Sequence, residues 1–83
     1  MDLIAIKAVA DGGRLKLLDK IGEEGELCAC VLPKFFGMSQ PAGSQHLKVL
    51  LKAGLVKCRR DGRKRLYSLS RRGEIVLRDI SRW

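Results

Sequence analysis

The side chains with distinctive chemistry in this chain are three cysteines, one histidine, two nearby glutamines and a dense run of cations. Cys28 and Cys30 are separated by a single alanine, and Cys58 stands alone. Cys-Ala-Cys is not the Cys-x-x-Cys spacing of a zinc knuckle. The odd number of cysteines, in a chain opening without a basic n-region or a long apolar stretch, predicts reduced thiols rather than a disulfide framework. The same opening predicts a cytoplasmic protein. One histidine, no Gly-rich phosphate loop and no acid pair beside a nucleophile leave no catalytic set, so an enzyme is not expected.

The cations carry more information. The 83 residues hold 17 Lys+Arg against 9 Asp+Glu, a formal charge of +8. Residues 1–41 contain five basic and six acidic side chains, whereas residues 42–83 contain twelve and three. Arg59, Arg60, Arg63, Lys64 and Arg65 are the densest stretch, with Arg71 and Arg72 close behind. A single-sign field on half of a small domain points to a polyanion, duplex nucleic acid first. A membrane is not expected as a partner: no apolar run approaches the ~20 residues of a span, and no strongly apolar helical face accompanies the cations.

These groups must be positioned by one small domain, residues 1–83, with no repeat or linker. Leu3 to Ala10 reads as a short helix. Asp11 caps a second helix carrying Leu15, Leu17, Leu18 and Ile21, which Gly22 and Gly25 end. Gly12 and Gly13 predict that it starts late or frays. Leu27 to Val31 begins extended, and a third helix starts near Cys30, with Pro33 in its first turn, and runs to Phe36 before Gly37. Ser39 caps a fourth helix with Pro41 in its first turn and an apolar stripe of Gly43, Leu47, Leu50 and Leu51. Gly43 allows close approach to a neighbour. Residues 55–60 and 63–69 are strands around Asp61-Gly62, and Ser70 caps a last helix.

The third and fourth helices around Gly37-Met38-Ser39 form a candidate helix-turn-helix, and the Arg-rich hairpin after it reads as a wing. The fold class is therefore mainly α with a small β-hairpin wing. In such an arrangement Ser39, Gln40, Pro41, Ala42, Ser44 and Gln45 face base edges, where each glutamine can satisfy adenine. Lys48 takes a phosphate, as do the wing cations Arg59, Arg60, Arg63, Lys64 and Arg65.

Asp11-Gly-Gly-Arg14-Leu15, Gly25-Glu26-Leu27-Cys28-Ala29-Cys30 and Met38-Ser39-Gln40-Pro41 resemble the ArsR/SmtB arsenical and metal-responsive repressors. Ser44-Gln45-His46-Leu47-Lys48-Val49-Leu50, Ala53-Gly54-Leu55-Val56, Arg60-Asp61-Gly62-Arg63 and Leu66-Tyr67-Ser68-Leu69 extend the resemblance over nearly the whole chain. It implies a homodimeric winged-helix repressor, joined through its first and last helices, that binds a near-palindromic duplex operator and releases it to an effector. Leu3, Ile4, Ile6, Ile75, Ile80 and Trp83 are candidates for the dimer interface, or for completion of the monomer core.

The resemblance also implies that Cys28 and Cys30 supply thiolates to a soft ion such as As(III), Sb(III), Cd(II) or Pb(II). No cofactor is otherwise required. Pro33 stands where the arsenic-sensing branch has a further cysteine, and Cys58 completes the set only if its strand lies beside the third helix. Redox thiols and small buried hydrophobes remain the other two readings of Cys28 and Cys30. A two-residue loop at Asp61-Gly62 pairs Cys58 with Arg65, which would make it reactive. The family's other common site, on the last helix, needs a His that residues 71–83 lack. For His46 the reading is a hydrogen bond or phosphate contact rather than metal ligation. The competing function is a winged-helix module that docks RNA or protein and senses no effector.

Overall fold

The computed structural model of the chain describes residues 3–81. Its helices are α1 (Leu3–Val9), α2 (Gly12–Glu24), α3 (Leu32–Phe36), α4 (Gln40–Lys52) and α5 (Arg71–Ile80), and its strands are β1 (Leu27–Cys28), β2 (Val56–Asp61) and β3 (Lys64–Leu69). The strands form one antiparallel sheet in the order β1-β3-β2. This is a winged helix-turn-helix, with α3 and α4 as the helix pair and the β2–β3 hairpin as the wing.

Local chemistry sets most of the element ends. The Asp11 carboxylate accepts from the amides of Gly13 and Arg14 at 2.9 and 3.1 Å, capping α2. These bonds, the Arg14 amide first, hold the carboxyl below its usual value. Arg14 also donates through Nε to the Ala8 carbonyl at 2.7 Å, so it closes the end of α1 as well. Helix α2 begins at Gly12 and not later, because the cap satisfies its first amides. Gly13 leaves room for a neighbour: a Cβ there would stand 3.3 Å from His46 Nε2. Gly22, expected to end the helix, lies inside it, where a Cβ would come within 3.1 Å of both Leu69 and Leu77. Gly25, the other glycine expected to end it, does so at φ 81°.

The expected third helix is divided. An α-helix from Cys30 needs the residue-33 amide to donate to the Ala29 carbonyl, and Pro33 has no N–H. The Leu32 amide bonds Ala29 in its place, giving a 3-10 turn over Ala29–Val31 before α3. Gly37 leaves α3 in the left-handed region at φ 64°, and the Ser39 hydroxyl accepts from the Ala42 amide at 3.2 Å to start α4, as its sequence predicts. Gly43 meets Leu32 of α3, whose Cβ would be 3.2 Å from a Cβ placed on it. Gly43, Leu47 and Leu50 are buried, but Leu51, assigned to the same stripe, is 43% exposed. It lies one step round the helix from the buried line.

The wing turns one residue later than expected. Asp61 pairs with Lys64, so the turn residues are Gly62 and Arg63, with the positive φ (63°) at the glycine alone. That shift opposes Cys58 to Tyr67 and Arg60 to Arg65, and the Cys58–Arg65 pair does not form.

Both ends of the hairpin are fastened at Leu55. The Ser70 amide donates to the Leu55 carbonyl at 3.1 Å, and the Ser70 hydroxyl donates to Gly54 O at 2.6 Å while accepting from the Gly73 amide at 3.0 Å. A Cβ on Gly73 would overlap the Leu55 carbonyl. The core beneath comprises Leu17, Leu18, Ile21, Leu32, Leu47, Leu50, Leu55 and Val76, with Tyr67 from the wing. Leu3, Ile4, Ile6 and Ile75 stay exposed and Ile80 is half-buried, while Trp83 lies outside the described residues. Among the described residues no helix is long and apolar enough to cross a membrane.

Gly73→Ala is expected to lower stability by about 1–3 kcal/mol through overpacking. Ser70→Ala should cost about 1 kcal/mol through loss of a helix cap. Urea midpoints measure both, and an unchanged midpoint for Gly73→Ala would show that α5 can move off Leu55 freely.

Candidate nucleic-acid interface

The first two turns of α4 carry the polar groups. Ser39, Gln40, Pro41, Ala42, Ser44, Gln45 and Lys48 are all exposed. His46 is not on that face. It is half-buried, its Nε2 lies toward Gly13, and its buried Nδ1 has no hydrogen-bond partner among the described residues. The sequence reads it for a hydrogen bond or a phosphate contact; the structure turns the ring in toward Gly13 at the start of α2. Gln40 is exposed but engaged: its Nε2 donates to the Ala29 carbonyl at 3.3 Å.

Across from α4 stands the wing, and between them runs an open groove of about 650 Å³. Gln40, Ser44, Lys48 and Leu51 form one wall. Arg63, Lys64, Arg65 and Tyr67 form the other, and Cys28, Ala29 and Cys30 line it too. Four cations and no acid line the groove among the described residues, so its field draws in anions. Arg60 is exposed beside it, opposite Arg65. Burial, and then the neighbouring Cys58 thiol, push the Tyr67 phenol above its usual value, with Arg65 opposing them.

Arg59 departs from the other wing cations. Its Nε and Nη2 donate to the two carboxylate oxygens of Glu26 at 2.7 and 2.8 Å, a two-pronged pair. The sequence assigns Glu26 no role, and a separation of 33 positions leaves no local pattern that announces the pair.

The cysteines also depart from expectation. Cys28 and Cys30 are joined in a disulfide, where reduced thiols were expected. Strand β1 ends at Cys28 and the 3-10 turn begins at Ala29, which draws the two Cα atoms to 5.2 Å, within bridging range. Cys58 is a free, exposed thiol. It does not join them: β3 separates β2 from β1, and Cys58 shares a sheet face with Tyr67 and Leu27, opposite to that of Cys28. Among the described residues no three His, Cys, Asp or Glu side chains gather as a metal site.

Residues 11–57 match the model of the bacterial regulatory protein, arsR family. The chain is 45% identical over 75 residues to an arsenical resistance operon repressor of Staphylococcus aureus, covering 90% of this chain and 68% of that protein. A crystal structure of a possible transcriptional regulator for arsenical resistance superposes with a TM-score of 0.81 at 38% identity, over 95% of this chain and 81% of the other. A homodimeric winged helix-turn-helix DNA-binding domain from Mycobacterium bovis superposes with a TM-score of 0.79 at 33% identity, over 94% and 69%.

The Glu26–Arg59 pair sets a pH dependence. The bond from Arg59 holds the Glu26 carboxyl below its usual value. A folded-state pKa below the unfolded one contributes stability above the unfolded value, which is lost as pH falls through the folded value. Wild-type stability should therefore decline from the ordinary carboxylate range downward, and Glu26→Gln should decline less over that interval. Parallel urea-unfolding curves for the two proteins across acid pH would contradict this.

Proposed function

The chain belongs to the arsR family of bacterial regulatory proteins, and on that premise we propose that it represses transcription by binding duplex DNA as a two-fold dimer. One observation carries the reading: Gln40, Ser44 and Lys48 of α4 and three wing cations line a single groove that holds no acid among the described residues, with Gln45 exposed beside Ser44. A duplex lying there would receive Ser44 and Gln45 at base edges in the major groove. Gln40 joins them once its amide leaves the Ala29 carbonyl. Ser39, Pro41 and Ala42 frame the helix end, and Lys48, Arg60, Arg63, Lys64 and Arg65 hold phosphates. In this reading His46 braces α4 against α2.

The exposed Leu3, Ile4, Ile6 and Ile75, with half-buried Ile80, support a dimer through α1 and α5, as does the homodimeric M. bovis relative. Two copies would place their α4 helices in half-sites ~34–36 Å apart. The whole of residues 1–83 acts as one DNA-binding unit, and its place of action is the cytoplasm.

Release is the second half of the proposal. Cys28 and Cys30 are a two-sulfur donor set that becomes available to a soft ion, As(III), Sb(III), Cd(II) or Pb(II), once a reductant opens their bond. Two sulfurs fit such an ion in part, and its remaining ligands would come from outside this pair. When bound, the ion would supply a rigid clasp across residues 28–30. Those residues line the same groove as the reading helix, so closing them by an ion or by oxidation acts on the DNA-facing surface directly.

Duplexes selected from a random pool, titrated by fluorescence anisotropy, test this. Arg63→Ala with Lys64→Ala should weaken binding to every duplex and lower the salt slope by about 0.9 for each phosphate no longer neutralised. Gln45→Ala should cost about 1–3 kcal/mol on the selected site and little on unselected DNA. Cys28→Ser should still bind but no longer release DNA to Cd(II) or As(III). A wild-type protein that prefers no duplex over single-stranded RNA would overturn the reading in favour of another docking module.

A further inference from the structure

The best-formed side-chain bond in the wing leads away from the groove. The Lys20 ion pairs with Glu23 and Glu24 stay within α2. Glu26 and Arg59 instead join the segment before β1 to the outer strand of the wing. The register gives this a direction. Cys28 opposes Leu66, and Leu66 opposes Arg59, so the three form one row across one face of the sheet. Glu26, two residues before Cys28, has the same parity and reaches across that face to Arg59. Strand β1 is only two residues long, so its main-chain hold on the hairpin is brief. Strand β2 is an edge, with β3 as its neighbour in the sheet. The carboxylate–guanidinium fork therefore supplies a second tether between the cysteine segment and the wing.

We propose that Arg59 is a wing-positioning residue rather than a phosphate ligand, and that the Glu26–Arg59 pair transmits the state of Cys28 and Cys30 to the hairpin. The functional consequence rests on the DNA-binding reading above, whereas the mechanical link rests on the sheet alone. A guanidinium whose fork is filled by a carboxylate must give up two charge-assisted bonds before it can take a phosphate. Arg63, Lys64 and Arg65 line the groove without that obligation. When the Cys28–Cys30 bond closes or opens, the backbone of residues 28–30 is fixed or freed. Glu26 is two residues away and carries the change to β2.

The experiment has two arms. In the first, duplex affinity is measured against salt for wild type, Glu26→Gln, Arg59→Ala and the double variant. Each single variant should weaken binding about two- to fivefold, the range of an exposed ion pair. The double variant should be no weaker than either single one, and the salt slope should stay that of wild type. Tighter binding by Glu26→Gln, or a slope about 0.9 smaller for Arg59→Ala, would make Arg59 a phosphate ligand and overturn the assignment. In the second arm, hydrogen exchange of the amides of residues 57–66 is followed in DNA-free protein, before and after reduction by a phosphine. Reduction should speed exchange in wild type; Glu26→Gln should already exchange at the faster rate and gain nothing further. An equal response in both proteins would overturn the coupling. Should wild type bind no duplex, the DNA reading fails, and this second arm still decides the role of the pair.

Discussion

The position of the wing relative to α4 depends on the main-chain bonds gathered at Leu55. Its amide donates to the Leu50 carbonyl at the end of α4, and its carbonyl accepts from Ser70 at the start of α5. The hairpin leaves from this point and returns to it, so its tip can be aimed only as well as its base is held. Gly73 belongs to the same constraint, because any larger residue would push α5 off the Leu55 carbonyl. The buried Leu55 side chain anchors the junction in the core. The wing and its cations inherit their placement beside α4 from it.

Where structure follows from chemistry within a few residues, the sequence was enough. Asp11, Ser39 and Ser70 cap the helices they were expected to cap, and Gly37 takes the left-handed conformation its position asks for. The repressor resemblance carried the architecture as well. What escaped was set by partners far along the chain. His46 looks like an outward residue until Gly13 makes room for it, and Arg59 looks like one cation among many until Glu26 meets it. The wing shows how small an error matters: moving the turn from Asp61-Gly62 to Gly62-Arg63 changes the partner of Cys58 from Arg65 to Tyr67. Of the candidate interface, the exposed face of α4 was legible, whereas the sheet order that separates Cys58 from Cys28 was not, because no local pattern encodes which strand lies in the middle.

The charge asymmetry takes a spatial form that its bare value does not convey. The two halves share the buried framework, the near-neutral first half adding the cysteine pair; the basic second half supplies the wing and most of the groove. Glu26 is an exception, an acid from the first half set against the wing, and it removes one cation from the field that the others share. The exposed large apolar side chains fall on α1 and α5 and outside the groove, Leu51 apart. One chain thus keeps two different surfaces, one oily and one cationic, on separate elements.

Arg14 gives that separation a mechanical meaning. It grips the last turn of α1 through the Ala8 carbonyl, while its own amide is held by Asp11 at the head of α2. The adjoining Gly13 is the seat against which His46 of α4 rests. In the proposed dimer, α1 touches the other subunit and α4 touches DNA, so these contacts form a short gear train between the two. A change in the angle between subunits would turn the reading heads together instead of being absorbed in a slack hinge. The distance between half-sites then becomes a property of the oily seam, tuned by residues that never approach a base.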